Sequence, residues 1–289
     1  MWFPLSITCA ICTSIYFLLN KQLTKSISIT TFLFVSNLCT LIFMFVILIL
    51  MGGFPHVTPK FYLLMTTSSL LDLVSFVAYT YALKHYPISL LAPMGAFIPV
   101  IATILSIFTL HEIPSPLKLL GILVIVVGAY LLHLSDAKLG FLTPFKKLFT
   151  NRGVQLYSIM IVLYGIAPSI QKPAIFETHP TTPLFASFFG VLLVTIYFGI
   201  YSIFRIGKET KAVSRKSGIF LLYGFLYAIG QLTSYMAFSM AHVGYVTALF
   251  ELSVLFNIFL GGFLLKEQRI QERLLGAVVM IAGVVLLAV

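Results

Sequence analysis

Acidic side chains are almost missing from this sequence. Among 289 residues, eight are Asp or Glu and eighteen are Lys or Arg, so 9% carry charge while 60% are hydrophobic. A soluble domain of this length needs far more polar surface to cover itself. That excludes a water-soluble enzyme or nucleic-acid-binding module. Cysteine is scarce too: Cys9, Cys12 and Cys39 form no disulfide framework. Cys9 and Cys12 spell C-x-x-C, but within an apolar run that offers no second pair and no nearby His. Small residues packed against a neighbouring helix account for them better than metal or redox chemistry. The histidines at 56, 85, 111, 133, 179 and 242 make no H-x-x-x-H pair and no Ser-His-Asp constellation. No P-loop or dinucleotide fingerprint occurs, so ATP is not the direct energy source. The expectation is a protein that is not an enzyme, with no cofactor, no metal and no nucleic acid.

What the chain does have is apolar length. Ten blocks run over about 4–20, 30–50, 61–83, 88–110, 116–134, 154–172, 182–204, 218–240, 244–265 and 270–288. Crossing a bilayer takes roughly 20 residues of helix, and helices satisfy their own backbone groups in lipid. The fold class expected is all-α and integral to the membrane, with ten transmembrane helices. The opening "MWFPLSITCA" has no basic leading region or cleavage site, so the first block is read as a retained span.

The basic excess follows the membrane. Numbered in order, the odd loops carry fifteen Lys and Arg and the even loops three, namely Lys60, Lys118 and Lys172. The positive-inside rule puts the odd loops in the cytoplasm and both termini outside. The longest loop, "LSDAKLGFLTPFKKLFTNRG", is basic and is expected along lipid headgroups.

Shifted by 155 positions, residues 82–132 fall on 237–287 without a gap and with eleven identities. A junction Glu followed by Gly at +9 and +16 occurs in both copies, as Glu112, Gly121 and Gly128 and as Glu267, Gly276 and Gly283. Five helices per copy is an odd number, so the copies are inverted: 1–134 and 154–289, joined by a basic loop at 135–153. Inverted repeats are a transporter architecture with the site between the halves near the midplane.

The stretch "YALKHYPISLLAPMGAFIPVIATILSIFTLHEIPSPLKLLGILVIVVGAYLL" resembles the second part of the repeat in EamA-type members of the drug/metabolite transporter superfamily. The features are Ala82-Leu83-Lys84 ending one helix, Pro99 thirteen residues before Glu112, and the two glycines. The second copy keeps Glu267, Gly276 and Gly283 but has Val254 in place of Pro99. The resemblance spans nearly the whole chain and implies the fold, but says little about substrate. Two departures stand out. The Trp-Gly common in the family's first helix and the Arg in its second are absent from "TSIYFLLNK" and "TFLFVSNLCT". Many members also place both termini in the cytoplasm, opposite to the charge count here.

Recurrence separates scaffold from site. Glu112 and Glu267 sit at helix junctions, where a carboxylate satisfies free amides and suits the helix dipole; a gate or proton site is the alternative. Gly121/Gly128 and Gly276/Gly283 lie seven apart, on one face that lets helices approach closely. Pro93, Pro99 and Pro168 are expected to kink their helices. Lys21 and Lys172 close the first helix of each repeat and either snorkel to the interface or contact an anion.

Asp72 and Glu251 do not recur: at the same offset they match Tyr227 and Ala96. A charge at membrane depth costs at least ~2.5 kcal/mol and is confined to a cavity or polar interface. A substrate or proton role for both carboxylates, opening into one outward vestibule, is weighed against carboxyls merely hydrogen-bonded between helices. Asp72, Ser75 and Tyr79 share one helix face; Tyr227, Gln231 and Tyr235 share another; Thr247 accompanies Glu251. Tyrosines with carboxylates suit a cation.

The reading is a secondary active transporter working by alternating access. It moves a small polar metabolite (an amino acid, amine or other cationic compound), with protons coupled or exchanged. It is expected in the bacterial inner membrane as a monomer or homodimer, with the lipid bilayer and the substrate as its partners. An exchanger of phosphorylated or nucleotide-type anions, resting on Lys21 and Lys172, is the alternative. A lipid scramblase or intramembrane enzyme is the alternative from another class.

Overall fold

The computed structural model describes residues 1–24, 26–51, 53–86, 94–137, 146–147, 149–202, 206–257 and 270–289. The described residues are almost entirely helical. The helices are α1 (Trp2–Leu23), α2 (Ile29–Leu50), α3 (Pro59–His85), α4 (Ile98–Leu110) and α5 (Pro116–Ala137), then α6 (Arg152–Phe176), α7 (Pro183–Ser202), α8 (Ile206–Arg215), α9 (Ser217–Met240), α10 (Val243–Phe250) and α11 (Ile270–Ala288). Two short strands, β1 (His56–Val57) and β2 (Thr178–His179), pair antiparallel.

Six helices, α1, α2, α3, α6, α7 and α9, are long and apolar enough to cross a membrane. Four shorter apolar helices accompany them, over Ile98–Leu110, Pro116–Leu132, Val243–Asn257 and Leu275–Ala288. Within the block expected at 88–110, Met94 and Gly95 are helical, Ala96 and Phe97 form a turn, and α4 starts at Ile98. Pro99 falls in the first turn of α4 rather than in a helix interior. A missing amide is tolerated there, and the fixed φ of proline suits a helix start. Pro168 does lie inside α6, as does Pro173. Pro93 and Glu267 lie outside the described residues, as does the side chain of Lys21. The amphipathic α8, with Lys211 and Arg215, has no counterpart among the ten expected blocks.

The inverted duplication is visible in what packs on what. α3 lies against α6 as α9 lies against α1, while α2 pairs with α7 and α5 with α11. The α5–α11 crossing is antiparallel and built on the recurring glycines. A Cβ on Gly128 would lie 2.6 Å from the Met280 amide nitrogen and 2.8 Å from the Gly276 carbonyl oxygen. A Cβ on Gly283 would lie 2.7 Å from the Ile125 nitrogen and 2.8 Å from the Gly121 oxygen. Gly121 therefore faces Gly283 and Gly128 faces Gly276, which is the relation a two-fold axis between inverted copies imposes. Backbones meet where side chains would otherwise hold them apart.

Both termini lie on one face of the bundle. Trp2 packs on Tyr245 at the start of α10, with ring centroids 6.1 Å apart. Lys118 Nζ, at the start of α5, donates to the Leu287 carbonyl near the C-terminus at 3.0 Å. The β1–β2 ribbon closes the same face, and beside it Lys60 pairs with Glu177 at 2.8 Å. Hydrogen bonds from Lys60 and Thr58 hold the Glu177 carboxyl below its ordinary range. On the opposite face Glu209 of α8 accepts from the Ser28 backbone N–H, at 3.2 Å to each carboxylate oxygen. There too Lys216 donates to the Gln22 carbonyl and the Ser26 hydroxyl.

The glycine crossing has a direct test. Gly128→Ala forces a methyl into backbone and should destabilise the protein by roughly 1–3 kcal/mol. Gly207→Ala, where nothing lies within 4 Å, should be neutral or gain up to about 1 kcal/mol from helix propensity. Thermal unfolding of both variants in detergent checks this, and equal midpoints would contradict the crossing.

Candidate functional site

Most hydroxyls in the bundle bond within their own helix. Ser75 donates to the Leu71 carbonyl and Thr80 to Phe76, while Thr103 donates to Pro99 and Thr195 to Val191. The polar groups that reach across helices therefore stand out, and they gather in two places.

The first is a cavity at mid-height. Asp72 is at the midpoint of α3, half-buried and facing a small space between α2, α3, α7 and α9. Its polar lining is Asn37, Asp72, Ser187, Tyr227, Gln231 and Tyr235; Phe76, Gly190, Val191 and Val194 complete the wall. Gln171 Nε2 on α6 donates to Asp72 Oδ2 at 3.2 Å. Gln231 Nε2 donates to the Tyr227 hydroxyl at 2.7 Å. Asn37 turns its amide nitrogen to the Leu33 carbonyl at 2.7 Å, which leaves Oδ1 a buried acceptor with no partner among the described residues. Asp72 and Tyr227, equivalent at the 155 offset, both line this space, so the cavity straddles the axis between the repeats. Its volume of ≈ 20 Å³ holds a water or two, and a metabolite needs more room.

Of the residues singled out in the sequence, Asp72, Tyr227, Gln231 and Tyr235 come together here. Ser75 shares their level but bonds its own helix. Tyr79, Thr247 and Glu251 are not among the lining residues. Glu251 follows α10 as its C-terminal cap residue, and α10 packs against α4 and α1 rather than α3. Asp72 thus lines this space, whereas Glu251 sits at the end of a helix packed on α4 and α1. No described residue donates a hydrogen bond to the Glu251 carboxylate. Its electrostatic neighbour is Tyr157, whose ring packs on Tyr79 with centroids 6.0 Å apart. Thr247 donates to the Val243 and Gly244 carbonyls. Ring contacts extend from the cavity wall: Tyr16 lies 5.5 Å from Tyr223 and 5.2 Å from Tyr227, and Phe76 lies 6.1 Å from Tyr164.

Asn37 and Gln171 escaped the sequence reading. Each is a single neutral amide in an apolar helix, and Gln171 is masked by the adjacent Lys172. The available signal is an Asn or Gln at membrane depth, whose amide has more polar atoms than one local bond can satisfy.

The second gathering is at the termini face. Lys172, expected as a free anion contact or a snorkelling cation, forms a buried ion pair with Glu112 and also donates to the Ala241 carbonyl. Glu112 Oε2 accepts from the Val243 N–H at 2.7 Å. Glu112 therefore caps α10 of the other repeat rather than α5, which follows it in sequence. One carboxylate ties the end of α4, the end of α6 and the α9–α10 junction. Lys60 is held by Glu177, and Lys118 lies 5.5 Å from the centroid of the Tyr245 ring. Every lysine expected on this face is engaged. Cys9, Cys12 and Cys39 are free thiols, and no group of three or more His, Cys, Asp or Glu suited to a metal occurs among the described residues.

Comparison with known proteins bears on the fold. The model of the EamA-like transporter family matches residues 1–134 and again 151–289. No curated protein matches the sequence. A solved crystal structure of a protein superposes with a TM-score of 0.77 over 99% of this chain and 95% of its own, at 12% identity. At that identity the likeness is one of fold alone.

The buried pair yields a stability prediction. Lys172→Met leaves Glu112 buried without its cation and should cost about 3–5 kcal/mol. Restoring neutrality with Glu112→Gln in the same chain should recover much of that loss. Denaturation of the two single variants and the double variant measures the coupling, and a neutral Lys172→Met would return that lysine to the role of a free anion contact.

Proposed function

Because the chain belongs to the EamA-like transporter family, we propose that it is a secondary transporter of a small polar metabolite with a cationic group. Ten spans as two inverted repeats of five carry it through the membrane. The observation that carries the substrate class is Asp72 at the centre of α3, on a cavity that also holds the Asn37 acceptor oxygen, buried and unpartnered among the described residues. A carboxylate, an open carbonyl and tyrosine faces together attract a donor-rich cation such as an amine or amino-acid ammonium. An anionic substrate finds no such support. Lys172 is consumed by Glu112, and no Lys or Arg lines the cavity among the described residues.

The small volume supports alternating access. A metabolite enters only if α2, α3, α7 and α9 separate, and the glycine-built α5–α11 pair, outside the cavity wall, serves as a frame for that motion. Glu251 takes the proton in this reading. It stands apart from the cavity, and Tyr157 beside it packs on Tyr79 of α3, the helix that carries Asp72. The odd loops face the cytoplasm and both termini face out, following fifteen basic residues against three. The even-loop cations being tied to Glu177, Glu112 and the Tyr245 ring fits an outer face with little free positive charge.

A thermal-shift screen of amines and amino acids on the purified protein tests this, since a bound ligand stabilises by mass action. Losing one charged hydrogen bond is worth about 1.5–3 kcal/mol. Asp72→Asn should therefore weaken the stabilising cation by roughly 10- to 100-fold, and Glu251→Gln should keep binding but lose proton-driven uptake. If a cationic ligand protects Asp72→Asn as well as the parent, the site assignment fails.

A further inference from the structure

The β1–β2 ribbon joins the two repeats. β1 lies in the connection between α2 and α3, and β2 in that between α6 and α7. Its register sets His56 directly opposite His179 and Val57 opposite Thr178. Residues directly opposite in an antiparallel pair send their side chains to the same face, with Cβ atoms about 4.5–5.5 Å apart. Both histidines are exposed. Each is flanked by a proline, Pro55 before His56 and Pro180 after His179, which limits the freedom of the backbone carrying the rings.

Two imidazoles at this spacing can each present a ring nitrogen to a single ion. Imidazole is a ligand for Zn²⁺, Ni²⁺ and Cu²⁺, whereas Mg²⁺ and Ca²⁺ prefer oxygen donors. Glu177, two residues from His179, ends α6 just before β2, and Lys60 and Thr58 hold its carboxylate. It is not counted as a third ligand, and the open coordination positions would go to water.

We propose that His56 and His179 form a two-histidine site for a late first-row divalent cation, which ties the repeats together across the face that holds both termini. The site is separate from the Asp72 cavity and does not depend on what that cavity carries. A bound ion bridges loops of opposite repeats, so it stabilises the arrangement in which this face is closed.

Isothermal titration of the full chain in detergent with NiCl₂, at about pH 8 where imidazole is neutral and with any affinity tag removed, tests the proposal. The parent should bind one Ni²⁺ and its unfolding midpoint should rise with Ni²⁺ concentration, while Mg²⁺ does neither. His56→Ala and His179→Ala should each weaken Ni²⁺ binding at least about tenfold, since even the loss of an outer-shell partner costs about 10–100-fold in metal affinity. His56→Gln and His179→Gln repeat the test without deleting the side chain, and unchanged midpoints without metal show that the ribbon persists. No Ni²⁺ binding by the parent would overturn the proposal, as would binding that survives either single substitution or Mg²⁺ acting equally well.

Discussion

A backbone polar group inside a bilayer has no water to turn to, and this constraint orders the whole molecule. It forces helices, and most serine and threonine hydroxyls bond a carbonyl of their own helix, from Ser6 on Trp2 to Thr247 on Val243. It also decides the fate of Glu112. A first-turn N–H of α10 needs an acceptor, the carboxylate supplies it, and the buried charge then needs Lys172. Three helix ends from two repeats are thereby fixed by one side chain. Removing the amide's need for an acceptor would leave the ion pair with no structural reason to be buried.

The same constraint explains how much was legible. Helical spans and the inverted duplication were readable because hydropathy and recurring Gly121, Gly128, Gly276 and Gly283 act locally along one helix each. The four glycines needed no partner to be recognised, since a seven-residue spacing on an apolar helix already implies a close face. Asp72 was readable as a charge at membrane depth. Its hydrogen-bond donor was not: Gln171 is 99 residues away, and a neutral amide makes no mark on hydropathy. The buried pairing of Lys172 was not legible for a related reason. Its partner Glu112 lies 60 residues earlier, and only the folded bundle brings the α4 and α6 ends together.

Pseudo-symmetry sorts the remaining polar residues. Glycines that recur in both halves meet their own counterparts at the α5–α11 crossing, as an axis relating inverted copies requires. The cavity lies on that axis too, yet its lining breaks the symmetry: Asp72 faces the space from one repeat and Tyr227, its positional equivalent, from the other. A scaffold contact gains from being made twice, whereas a single bound molecule meets both halves at once and has no use for duplicate charges. Two aspartates across a space of ≈ 20 Å³ would repel each other when it is closed. A carboxylate on one wall and a phenol on the other can both approach one cation without that cost. On the proposed function, the asymmetry of the pair is what lets a closed cavity and a cation site coexist at the centre of this bundle.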